Sequence, residues 1–256
     1  MLGASWTATV MLLTVRIAAV LLLTPVLYAV TMPATVRVLV VVALACIVAM
    51  PFGSAAAAEP SDVGSLVAAM LREAAVGATL GLGILMAFAG FTVAGRLIDV
   101  QVGYGMGQVF DPLTRSRAPV LSAVFGLLAT VFFFIVDGHH ALLRGIAYSV
   151  ERFPVGGEWA GQAAAEPMVR QVAALFALGF ALAAPVVLGL LLVEFALGVV
   201  SRNLPQMNML VMGIPVKILV GLLALSVWAA GFSAPASRLY SGIARTWSAW
   251  FMAGGR

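Results

Sequence analysis

Charge is what this sequence has least of. Only 9% of its 256 residues are Asp, Glu, Lys or Arg, where a soluble domain carries about 25%. With 63% hydrophobic residues it lacks the polar surface to coat a soluble globule. A soluble enzyme, a disordered chain and a conventional nucleic-acid-binding domain are therefore excluded. Cysteine is almost absent too. Cys46 stands alone, so no intrachain disulfide forms, and its apolar setting reads as a small buried hydrophobe. There is one lysine, Lys217, and the only histidines are His139 and His140. The net charge of +4 comes from 14 scattered basic residues. No run of them is long enough to follow a phosphate backbone, so no nucleic acid is expected as a partner. What remains is an integral membrane protein, or one packed inside a membrane assembly.

Long apolar stretches are what the sequence does have. Six charge-free windows meet or approach the ~20 residues that cross a bilayer: 17–36, 38–58, 74–95, 118–136, 171–193 and 218–237. In lipid the backbone must satisfy its own hydrogen bonds, so the fold class is all-α, with about six hydrophobic helical segments. The first helix is expected to begin before Arg16. The start of the chain is expected to be retained, because Ser5, Thr7 and Thr9 do not resemble the basic start of a signal peptide. Pro25, Pro33, Pro51 and Pro185 fall in or near the windows and predict kinks or breaks. Arg16 and Glu194 are charges in apolar surroundings. A structural ion pair is the favoured reading for each, ahead of an ion pathway. In a six-span arrangement the basic residues divide seven against six with Arg16 left over, which sets no orientation. Gly77 and Gly81, four apart, read as a close helix-packing face.

The connectors carry the remaining signals. Residues 52–62 are rich in Ala, Ser and Pro and read as an exposed loop. The stretch 96–119 contains Asp99 and Gln101, then Gly103, Gly105 and Gly107 in alternation, then Met106, Val109, Phe110, Asp111 and Pro112. Alternate glycines disfavour a helix, and Asp-Pro marks a turn. Their spacing does not fit a dinucleotide fingerprint. Asp137-Gly138-His139-His140 offers metal-ligand chemistry, but no further ligand is spaced to complete a site. No metal is therefore expected, and Asp137 reads as a helix N-cap. Leu143, Ile146, Ala147 and Val150 then form the stripe of a short amphipathic helix ending near Pro154. No catalytic set emerges: there is no nucleophile elbow, zinc helix or phosphate loop. Asp99, Asp111 and Asp137 read as connector residues without pairing. Neither an enzyme activity nor a cofactor is expected.

The stretch Ser201-Arg202-Asn203-Leu204-Pro205-Gln206-Met207-Asn208, followed by Gly213, Pro215 and Lys217, resembles the Arg-x-x-Pro-Gln-x-Asn … Gly-x-Pro-x-Lys signature of the FliR/SctT export-apparatus family. Arg16, Glu73, Gly77, Gly81, Gly95, Asp99, Gln101, Gly103, Asp111-Pro112, the Asp-Gly-His-His block, Phe176 and Pro185 agree in order, from about residue 10 to residue 235. The Asp-Gly-His-His block is more similar to the flagellar branch than to the virulence injectisome branch. Leu210 replaces the usual aromatic after the Asn-containing block.

The resemblance implies a non-enzymatic, pore-forming subunit of a type III protein export gate in the bacterial inner membrane, within the flagellar basal body. The implied partners are FliP-like and FliQ-like subunits, an FlhB-like protein and unfolded polypeptide in transit. The fold it implies is a set of kinked hairpins packing in a helical assembly, with residues 1–165 FliP-like and 166–256 a FliQ-like hairpin. It also implies that Gly103, Gly105, Met106, Gly107, Val109, Phe110, Asp111 and Pro112 belong to a plug loop. Arg202, Pro205, Gln206, Asn208, Gly213, Pro215 and Lys217 become an assembly motif. Lys217 by itself reads as an anchor for a helix end at the interface. Two alternatives stand beside this reading: the equivalent injectisome subunit, and a small-solute secondary transporter suggested by six spans and Glu194. The transporter is disfavoured by the lack of an internal repeat of the Pro185 segment.

Overall fold

The computed structural model describes residues 4–25, 32–52, 62–103, 120–157, 161–204, 206, 209–229, 231 and 233–254. Their regular structure is entirely helical. The helices are α1 (Ala4–Leu23), α2 (Ala34–Ala49) running into a short 3-10 turn (Met50–Phe52), α3 (Val63–Val102), α4 (Val120–Ile135), α5 (Gly138–Arg152), α6 (Gly161–Asn203), α7 (Met209–Ala229) and α8 (Ser233–Gly254). Among the described residues, α1, α3, α6 and α7 each contain a stretch long and apolar enough to cross a membrane, and α4 with α5 would add a fifth.

The charge-free windows do not map one-to-one onto these helices. Window 17–36 is divided: α1 takes Arg16 inside it and stops at Leu23, just before Pro25, and α2 starts directly after Pro33. Proline cannot donate to the preceding turn, so it ends or begins a helix more readily than it continues one. The short α2 leaves Cys46 half-buried, which corrects the expectation of a buried thiol. Charge did not end α3. It runs through Arg72, Glu73, Arg96 and Asp99, so Asp99 and Gln101 are helical and lie outside any connector. Pro185 and Pro215 lie inside α6 and α7. The expected loop at 52–62 lies almost wholly outside the described residues.

The chain divides into two compact units: Met1–Ala87 with Phe133–Val172 and Tyr240–Arg256, and Phe88–Phe132 with Ala173–Leu239. In the first, α1 lies directly on α3. A Cβ on Gly77 would run into the Arg16 carbonyl, and one on Gly81 would sit 2.9 Å from the Val20 carbonyl oxygen. This is the close approach that small residues four apart allow. The Trp247 ring from α8 lies against two other glycines: a Cβ on Gly83 would meet its Nε1 at 2.8 Å, and one on Gly145 its Cζ3 at 2.5 Å. Tyr240, Ile243, Trp247, Trp250 and Phe251 form the buried face of α8, and Trp250 stacks on Phe153 at 4.9 Å between centroids. The Gln171 amide donates to the Gly83 carbonyl at 2.7 Å.

Helix α5 is amphipathic as expected, but its buried stripe is shifted. Leu142, Gly145, Ile146, Ser149 and Val150 face inward while Leu143 is exposed. Asp137 stands at the N-cap position without a side-chain capping bond.

In the second unit α4 packs on α3 so closely that a Cβ on Gly95 would lie 2.6 Å from the Ser122 Cα. Phe91, Ile98, Phe125, Ala129, Leu182, Val186 and Leu190 are buried there, and Phe125 stacks near Trp228 at 6.3 Å.

Candidate functional site

The end of α3 and the start of α4 are held by one side chain. Gly103 adopts φ +90, a conformation open to glycine at little cost. Its N–H donates to the carbonyls of Asp99 and Val100, both at 3.2 Å, which closes the helix. The Asp99 carboxylate accepts from the backbone N–H groups of Leu121 at 3.0 Å and Ser122 at 2.8 Å. These are first-turn amides of α4, which have no intrahelical acceptor, and a carboxylate there also complements the helix dipole. Asp99 thus fixes both roots of the connector 103–119. Of the residues expected in a plug, Gly103 is placed at the first root. Gly105, Met106, Gly107, Val109, Phe110, Asp111 and Pro112 lie outside the described residues.

Beside that root is a cleft of about 440 Å³, lined by Gln101, Gly103, Glu194, Gly198, Ser201 and Lys217 among others. On its wall Lys217 Nζ of α7 donates to Glu194 Oε1 of α6 at 2.9 Å. The lysine side chain is largely covered and the glutamate half-exposed. This pair joins α6 to α7, so Lys217 is more than an anchor at the interface. Around it, Gly213 is buried, Pro215 exposed within α7, and Arg202 and Gln206 are exposed at and just past the end of α6. Pro205 and Asn208 lie outside the described residues.

Arg16, the other lone charge, is fully buried in the first unit. Its Nε donates to Glu73 Oε2 at 2.5 Å and its Nη2 to Oε1 at 3.1 Å. Nη1 donates to Ser149 Oγ at 3.2 Å, and Nη2 also to the Phe153 carbonyl at 2.9 Å. Glu73 accepts a further bond from the Gly156 N–H at 2.8 Å. One charge pair therefore ties α1, α3, α5 and the turn after α5, with its lone pairs and protons taken up by neighbours, as a buried charge requires.

The model for "Bacterial export proteins, family 1" matches residues 7–242. The chain belongs to that family. This family member is 38% identical over 162 residues to "Flagellar biosynthetic protein FliR" of Bacillus subtilis (strain 168), covering 61% of each chain. It is 30% identical over 152 residues to the protein of the same name from Escherichia coli (strain K12), covering 59% of this chain and 58% of that one. With the Caulobacter vibrioides protein it shares 28% over 218 residues, 84% of this chain and 82% of the relative. The match thus spans about three fifths of the first two relatives and over four fifths of the third.

For an export-family protein the helices fit a multi-pass membrane chain. Three features escaped the sequence reading: the Arg16–Glu73 pairing, the capping by Asp99, and the helix α8. The two acidic residues are visible in the sequence as charges inside an otherwise apolar periodic run, which itself signals a partner.

Proposed function

We propose that this chain is a structural, pore-forming subunit of a flagellar type III protein export gate in the bacterial inner membrane. It assembles with FliP-like and FliQ-like subunits and an FlhB-like protein, and unfolded polypeptide passes through the assembly. Residues 1–165 are the FliP-like portion and 166–256 the FliQ-like portion, the Glu194–Lys217 pair between α6 and α7 being consistent with a hairpin there. The relatives described above are all flagellar by name, which favours this apparatus over an injectisome.

The observation that carries the reading is the Asp99 clasp on the connector 103–119. A gate must stop ions and yet let a chain through, so its closed state needs a narrow apolar constriction that can move aside. A connector with alternate glycines and with Met106, Val109 and Phe110 has the composition such a plug needs, and the Asp99 clasp holds the ends of α3 and α4 on either side of it. The chain does no chemistry of its own in this account, and export is driven from outside it.

Gln206 and Asn208 serve assembly. Amides in an apolar setting cost about 1–3 kcal/mol each when their partners are lost. Co-expression of the tagged chain with FliP- and FliQ-like proteins, followed by affinity purification in mild detergent, is expected to recover the complex, and Gln206→Ala with Asn208→Ala to reduce that recovery severalfold. A monodisperse, solute-transporting monomer would refute the proposed function. Normal recovery from the double variant with export abolished would instead move this segment from assembly to transport.

A further inference from the structure

The Asp-Gly-His-His block is not used by the export reading. In the structure it lies at the break between α4 and α5, within the first unit. Asp137 has φ 55 and ψ 32, a left-handed conformation that Asp tolerates better than most residues. Its carboxylate makes no capping bond and turns toward the first turn of α5, with Oδ1 3.3 Å from His140 Nδ1. The rings of His139 and His140 lie 4.1 Å apart between centroids. One ligand atom from each of Asp137, His139 and His140 lies within 4.8 Å of the other two. The sequence suggested that this set was too sparse for a site, but the left-handed turn makes it converge.

We propose that Asp137, His139 and His140 bind a divalent transition-metal ion of borderline softness, such as Zn²⁺ or Co²⁺. Bonds of about 2.0–2.2 Å to imidazole and carboxylate put tetrahedral ligand atoms roughly 3.4 Å apart. The ligand atoms lie within 4.8 Å of one another, and Asp137 and His140, with side chains 72% and 60% exposed, have room to rotate toward that spacing. His139 contributes an independent sign: its Nδ1 is buried with no hydrogen-bond partner among the described residues, and its ring lies 5.4 Å from that of Phe134. Two imidazoles and one carboxylate favour Zn²⁺ or Co²⁺ over Mg²⁺ or Ca²⁺, which take oxygen ligands. Three protein ligands leave a fourth position for water. The positive end of the α5 dipole opposes a cation here and weakens its binding. The bound ion would tie the residue in the break to the first turn of α5 and so stiffen the bend.

The test uses the full chain, co-expressed with its gate partners, purified without a polyhistidine tag, stripped with chelator and titrated with Co²⁺. Expected are a visible d–d band saturating near one ion per chain, displacement of the band by Zn²⁺ but not by Mg²⁺, and at least tenfold weaker binding in Asp137→Asn and in His140→Gln. His140 is exposed, so its replacement leaves the packing alone and keeps the test valid if another variant fails to fold. No saturable band, equal displacement by Mg²⁺, or unchanged binding in the triple variant D137N/H139Q/H140Q would overturn the proposal.

Discussion

Removing one charge from the Arg16–Glu73 pair and removing both are different experiments. Glu73→Gln leaves a guanidinium buried without its counter-charge, a change that typically costs about 3–5 kcal/mol. Arg16→Met with Glu73→Met together removes the charges and keeps the volume, and often costs far less. Thermal unfolding of the assembled protein should therefore show a large loss for Glu73→Gln and a recovery of most of it in the double variant. A double variant worse than either single would mean that the bonds to Ser149 and Phe153 outweigh the pair itself. Asp99 makes a second residue-scale claim. Asp99→Ala strips the acceptor from two amides, worth about 1–3 kcal/mol, so hydrogen exchange at Leu121 and Ser122 should quicken by roughly ten- to a hundredfold. Unchanged exchange would mean that α4 needs no clasp. Arg16 and Glu194 were legible as charges in need of partners. Which partners was not legible, because 57 and 23 residues separate the pairs and no local periodicity links such positions. Asp99 was misread for a related reason: charge-free windows stop at a charge, while a helix stops only where its bonding or backbone fails. Here that is at Gly103.

Helix packing in this chain turns on which glycines face a neighbour. Gly145 faces the Trp247 ring, and an added Cβ would sit 2.5 Å from Cζ3. Gly145→Ala should destabilise by about 1–3 kcal/mol, as overpacking does. Gly126→Ala, with nothing within 4 Å of its Cβ position, should be neutral or slightly favourable through helix propensity. Paired melting curves separate the two, and equal effects would show that the tryptophan readily moves aside. The Gly77/Gly81 face was legible because its spacing alone carries the argument. Trp247 between Gly83 and Gly145 was not, since it depends on three helices meeting. Helix α8 was missed as a whole: Tyr240, Ile243, Trp247 and Trp250 recur at helical spacing, but Arg238 and Arg245 broke the charge-free stretch. The prolines were the better guide to boundaries. Pro25 stands just past the end of α1 and Pro33 just before the start of α2, whereas Pro185 and Pro215 are accommodated inside α6 and α7.

As a whole, the chain exposes many large apolar side chains, among them Val38, Leu39 and Ile47 on α2, Leu188, Leu192 and Phe195 on α6, and Leu219, Leu223 and Val227 on α7. Such surface belongs against lipid or partner subunits, and the low charge content had already pointed to both. The all-α membrane class and the family were therefore legible from composition and from the ordered motifs. The bonds that hold the end of α3 to the start of α4, on either side of the connector 103–119, were not, because they depend on tertiary contacts. The proposed sealing of an export gate by this connector is tested by ion conductance across membranes carrying the co-expressed gate with residues 105–110 deleted from this chain. An assembled complex, equal in abundance to the intact one, that leaks small ions is expected. Conductance identical to that of the intact gate at equal abundance would contradict it and move the seal to a partner subunit.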